Sequence, residues 1–200
     1  YDNAIAARDA GVHLAFLSGN AVFGVAPLHS SAEGQPHRIM QRESFFVGQR
    51  PGVTYPIAPD GALLIGGRHQ GLGGGDWVCS KPDHWLYEGT AMKEGDAVKG
   101  LLGWEWHGHA ARDLPGHEIL ATSKAVDTRK RSYTPHAATI YDGPKDNLVF
   151  NAGTIWYAQA LSSPPGHVLP ANRFARPQGP DSRVQRMTEN LFKRLAASGT

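Results

Sequence analysis

The chain has 200 residues, of which 40% are hydrophobic and 19% charged, with a formal net charge of +2. That is enough chain for one good core, so one domain carrying an insertion is expected. The charge is too small and too scattered to predict a nucleic-acid partner, and no apolar run approaches the roughly 18 residues of a membrane span.

Residues 1–10 are rich in Ala, the strongest helix former, and Gly11 follows as a helix stop. The chain starts at Tyr1, without an initiator Met and, on this reading, inside a helix. This predicts the C-terminal part of a longer polypeptide, with a strand preceding the helix as in a βαβ unit. Residues 12–17 form a short apolar run without alternation, the pattern of a strand buried on both faces of a parallel sheet. It stops at Ser18-Gly19-Asn20, whose last two residues tolerate the positive φ of a tight turn. Ligands gather outside the carboxyl ends of strands in open α/β sheets, which makes Asn20 a candidate functional side chain. The plainer reading of the same three residues is a strand-end turn.

Residues 21–25 are a second short apolar run, 29–37 a polar loop and 38–47 a candidate strand. The 24 Gly and 14 Pro predict many turns and long connections rather than a helical bundle. Many of them fall in residues 48–75, around one apolar core piece at residues 62–65. Gly71-Leu72-Gly73-Gly74-Gly75 lacks the Lys-Ser/Thr of a Walker loop and does not match Gly-x-Gly-x-x-Gly, so it reads as a flexible connection. Residues 76–90 are aromatic-rich, His84 reads as a structural histidine, and residues 92–97 as a surface loop. Cys79 is the only cysteine and lacks a local activator, so it reads as an inert core thiol with no disulfide within the chain. A lone thiol fits a reducing compartment, hence a cytoplasmic expectation. Together, residues from about 25 to 110 read as a β-rich insertion in an α/β domain spanning 1–200.

Trp104-Glu105-Trp106-His107-Gly108-His109 carries the densest chemistry. On a strand, residues two apart share a face, so Glu105, His107 and His109 would point one way and the tryptophans the other. A carboxylate and two imidazoles suit zinc or iron. Three ligands crowded on one short strand converge poorly on one ion, so His107 and His109 read as partly exposed histidines at a strand end and remain only weak metal candidates. Glu105, flanked by tryptophans, should be partly desolvated, and desolvation raises a carboxyl toward the range useful for general acid–base work. The structural alternative is an ion pair with an arginine.

Residues 117–123 read as a strand, 128–136 as a loop, and 137–141 as a lead into a turn at 142–144. Asn147-Leu148-Val149-Phe150-Asn151-Ala152-Gly153-Thr154 echoes the first apolar run, so the two are expected in one sheet. Residues 154–161 would open a helix, and a Pro-rich excursion covers 163–180. The chain closes with a helix in which Ser182 and Gln185 have capping-box spacing. Its Val184, Met187, Leu191 and Leu195 form one apolar stripe, read as core packing against the sheet.

Four stretches, in this order and spacing, resemble one family over nearly the whole chain. They are LAFLSGN (residues 14–20), HWLYEGT followed by LLGWEW (84–106), LVFNAGTIWYAQAL (148–161) and the ending SRVQRMTENLFKRL. The chain resembles the C-terminal domain of the N,N-dimethylformamidase large (beta) subunit. The resemblance implies a three-layer, glutamine-amidotransferase-like α/β fold with a parallel sheet and inserted β segments. It implies a mononuclear iron whose bound water hydrolyses a C–N bond of a small amide. The iron ligands, two tyrosines and a glutamate, are implied to lie upstream of Tyr1, so no metal ligand is expected in this chain. Asn20 matches a polar active-site asparagine of the family and Glu105 a glutamate at its catalytic pocket. Arg42 stands where the family often has a lysine; an arginine cannot shuttle protons at neutral pH. The implied partners are a small-molecule amide, the remainder of the same polypeptide, and a homo- or hetero-oligomer. The alternative is a binding or scaffold domain that keeps the fold without the chemistry.

Overall fold

A computed structural model describes residues 1–22, 28–40, 60–109, 113–127 and 132–197. Tyr1–Ala21 with Gly61–Thr200 form one compact unit, and Val22–Asp60 form another. Within the second, β2 (Leu28–His29) and β3 (Ile39–Met40) pair as a small antiparallel hairpin.

The first unit is mixed α/β and mostly sheet. Its helices are α1 (Asp2–Asp9), the single turn α2 (Ala62–Ile65) and α3 (Ser182–Ala197). Its strands are β1 (Leu14–Phe16), β4 (Gly67–Val78), β5 (Ala97–Leu102), β6 (Glu105–His109), β7 (Glu118–Asp127), β8 (Ser132–Asp142) and β9 (Leu148–Asn151). They form one seven-stranded sheet in the order β1-β9-β8-β7-β4-β5, with β6 also on β4. The two echoing runs do share this sheet: β1 and β9 pair in parallel, Leu14 opposite Val149 and Phe16 opposite Asn151.

That is the one parallel ladder among the described strands; the rest are antiparallel. The expected parallel sheet is therefore a mixed one. Parallel neighbours need a crossover of a dozen or more residues, usually helical, whereas β7, β8 and β9 follow one another through short connections. β1 is also not buried on both faces. It lies at the end of the strand order, with Leu14 and Phe16 half-buried and Ala15 exposed. Helix α1 before it buries none of its residues, and Gly11 follows it at a φ of 102°, the stop expected of that glycine.

β4 organises the sheet. Its first half pairs with β6 and its second half with β5, so residues 97–109 run along it as one strand broken at Gly103 and Trp104. The Gly71–Gly75 run is thus strand, not a flexible connection. A Cβ on Gly73 would overlap the Val126 carbonyl, one on Gly71 would press on the Asp127 carboxylate at 2.8 Å, and one on Gly74 on Ala175 at 2.7 Å. Glycines mark close backbone approach here.

The core holds Trp77, Trp106, Leu101, Leu120, Phe150 and Tyr157, each at most 1% exposed. Val184, Met187 and Leu191 of α3 are fully buried in the same cluster, with Leu195 packed against it, as the stripe predicts. Each such side chain contributes about 1.5–3 kcal/mol on burial. The cap of α3 differs from expectation. Asp181, not Ser182, accepts from Arg183 N at 2.9 Å, and Gln185 donates to the Leu161 carbonyl instead of reaching back. Two further segments differ. Residues 132–136, expected in a loop, belong to β8, and the helix expected at 154–161 is a short 3-10 turn, Tyr157–Ala160.

Candidate functional site

Because β1 and β9 run parallel, their carboxyl ends meet at one place. Ser18-Gly19-Asn20 follows one and Ala152-Gly153-Thr154 the other. β6 lies against both. The Glu105 carbonyl accepts from Ile155 N at 3.1 Å, and His107 N donates to the Gly153 carbonyl at 2.9 Å. Gly19 is required by this approach: a Cβ there would run into the Glu105 carbonyl oxygen and come within 2.9 Å of Ile155 N. Asn20 then takes a left-handed φ of 55°. Asparagine is among the few non-glycine residues that visit this region routinely, and strained backbone clusters at functional sites.

In that conformation Asn20 Nδ2 donates to Glu105 Oε1 at 2.9 Å, across 85 residues of sequence. The next peptide is also held: Ala21 N donates to His107 Nε2 at 3.2 Å. The other ring nitrogen, Nδ1, lies 2.9 Å from Asn151 Oδ1. That oxygen accepts as well from Gly153 N at 3.0 Å. Asn151 Nδ2 in turn reaches Thr139 Oγ1 at 3.4 Å.

Burial pushes the Glu105 carboxyl above its usual range, and the Asn20 hydrogen bond partly offsets the rise. Among the described residues the partner of Glu105 is thus an amide rather than the arginine of the alternative reading. Its two tryptophans differ: Trp106 is fully buried, whereas Trp104 is 50% exposed and walls off little water. The Asn20 Oδ1 atom is buried and without a partner among the described residues.

Glu105 and His107 face the same turn, as their spacing predicts, while His109 is exposed. Burial lowers the His107 imidazole to about 4, against a smaller opposing effect from Asn151. Both its ring nitrogens are engaged, which leaves none for a metal. Among the described residues no group of three His, Cys, Asp or Glu is placed to hold a metal ion, so these residues do not fit the iron that the resemblance implies. Arg42 lies outside the described residues.

Two further sequence candidates are structural. His84 accepts from Leu86 N at 3.2 Å and caps the 3-10 turn Trp85–Tyr87. Cys79 is buried, and burial pushes its thiol up, away from the thiolate that reacts. Sequence reasoning missed Asn151, and it expected a partly exposed His107 where the structure has a fully buried one held at both nitrogens. The signal for Asn151 was present, since it closes the apolar part of the second echoing run, at the end of β9, as Asn20 follows the first.

The family model for the N,N-dimethylformamidase beta subunit-like C-terminal domain matches residues 1–172. A comparison with curated proteins gave no match.

Proposed function

The chain belongs to the N,N-dimethylformamidase beta subunit-like C-terminal family, and from that premise we propose that it takes part in hydrolysing a C–N bond of a small amide. The observation that carries the reading is the pairing of Asn20 with Glu105 at 2.9 Å, where the parallel strands end. A carboxyl held above its ordinary range accepts and returns a proton near neutral pH more readily. Glu105 takes the proton of the attacking water and passes it to the departing nitrogen. Asn20 aims that carboxylate through Nδ2.

The iron implied by the family would draw its ligands from chain outside the described residues, and no step above depends on it. A small amide as substrate, an assembly with further chain or subunits, and a cytoplasmic setting in which Cys79 stays reduced belong to the same proposal.

The test is Glu105→Gln in the full-length protein, with amine release measured over a panel of small primary, secondary and tertiary amides. Gln keeps an acceptor for Asn20 and removes the titrating proton. Turnover should fall by about a hundredfold or more, since general acid–base catalysis contributes on that order, with melting temperature little changed. Unchanged turnover would refute the assignment and leave the scaffold reading.

A further inference from the structure

The turn that carries Asn20 touches β6 at two points. One is the Asn20–Glu105 side-chain contact; the other is the Ala21 amide on His107. Glu105 and His107 are two residues apart on one strand and so share a face.

The proton positions along the second contact follow from its two ends. Ala21 N–H is a backbone amide and can only donate, so His107 Nε2 accepts and carries no proton. At the other end Gly153 N–H donates to Asn151 Oδ1, which identifies that atom as the carbonyl oxygen. Facing an acceptor at 2.9 Å, His107 Nδ1 must hold the ring proton and donate it. The line therefore runs in one sense, from Ala21 through His107 to Asn151, with Gly153 closing it. His107 is fully buried, so an unmade bond at either nitrogen would leave a polar atom stranded. Burial also keeps the ring neutral well below pH 7, as an Nε2 acceptor requires.

We infer that His107 is a positioning residue: its Nε2 holds the Ala21 peptide, and with it the left-handed Asn20, in register with Glu105, while Asn151 sets the ring tautomer. The inference rests on the reading of Asn20 and Glu105 above. A left-handed φ carries some backbone cost even for asparagine, which tolerates it better than most residues, and the surroundings must hold it. The Ala21–His107 bond supplies a restraint that the Asn20 side chain cannot supply for its own backbone.

Two substitutions separate the two ends of the ring. His107→Gln extends an amide to about the Nε2 position, where its oxygen accepts from Ala21 N–H. His107→Asn reaches only about the Nδ1 position, keeping Asn151 and releasing Ala21. Each loses one buried hydrogen bond, so a merely structural histidine would respond alike to both. The readout is the side-chain NH2 resonance of Asn20 in Asn-labelled full-length protein, which reports the Glu105 contact without any substrate. It should stay near its wild-type position in His107→Gln and move toward that of a free amide in His107→Asn. Turnover of the amide substrate should follow, with a loss of about tenfold in His107→Asn only, the scale of one hydrogen bond. Equal responses of the resonance in the two variants would overturn the inference, whatever becomes of Glu105 as a catalyst. If neither variant folds, the wild-type ring decides. Nδ1 should be protonated, and a scalar coupling should connect Ala21 N–H with Nε2; a proton found on Nε2 would overturn the inference.

Discussion

Lowering the pH from about 7.5 to about 4.5 should destabilise the domain through three histidines buried in neutral form, with a size that follows from linkage. Burial lowers His84 from 6.5 to about 4, helped by the nearby charges of Lys81 and Arg194. It lowers His107 to about 4 as well, against the bond to Asn151. His136, fully buried, falls to about 3; a backbone contact to Ala152 opposes the fall, and His107 and His109 add to it. In the unfolded chain each imidazole titrates near 6.5, so between 6.5 and about 4 the unfolded state binds more protons. Stability is then complete above pH 6.5 and is lost as the pH falls through this window. Each histidine contributes a slope of about 1.4 kcal/mol per pH unit, or roughly 2.7 kcal/mol over the two units between pH 6.5 and 4.5. The three together come to no more than about 8 kcal/mol, a large part of the whole stability of an ordinary domain at about 5–15 kcal/mol. Urea unfolding followed by tryptophan fluorescence at several pH values measures the slope. His84→Asn supplies the control, because Asn keeps an acceptor for Leu86 N–H and does not titrate. It should remove about a third of the slope between pH 6.5 and 5. A wild-type stability that is flat over this range, or a slope that survives unchanged in His84→Asn, would refute the reasoning.

Gly19→Ala should displace the Asn20 turn, because its Cβ has no space beside the Glu105 carbonyl. A loss of about 2 kcal/mol or more in urea unfolding is expected, the scale of overpacking, and a neutral result would mean that the turn does not pack there. Asn20→Ala removes the donor that holds the Glu105 carboxyl down. The carboxyl should then titrate higher still by carbon NMR, with turnover about tenfold lower, the scale of one hydrogen bond. A Glu105 titration that does not move would show that the contact is not made in solution.

Local patterns were enough for the elements whose cause is local. The Ala-rich start and Gly11 determine α1, and the three- and four-residue spacing of Val184, Met187 and Leu191 determines the buried face of α3. The likeness of residues 12–20 to 147–154 anticipated that β1 and β9 share a sheet, and the strand-end position marked Asn20. The strand-end position and the family resemblance put Asn20 and Glu105 at one pocket by expectation; the hydrogen bond between them is seen only in the structure, since no local rule links residues 85 apart.

Where the cause lies in another part of the chain, only the tertiary structure decided. Five residues with four glycines read as a connection by composition, yet they are strand, paired with β5, β6 and β7, and at Gly71, Gly73 and Gly74 the neighbours Asp127, Val126 and Ala175 come too close for a side chain. The sheet is mixed because ladder direction depends on how the chain returns, which an apolar run does not record. From its neighbours in sequence His107 read as a partly exposed histidine and only a weak metal candidate. Its partners are Ala21 and Asn151, 86 and 44 residues away, and a histidine's role is set by what meets its two nitrogens.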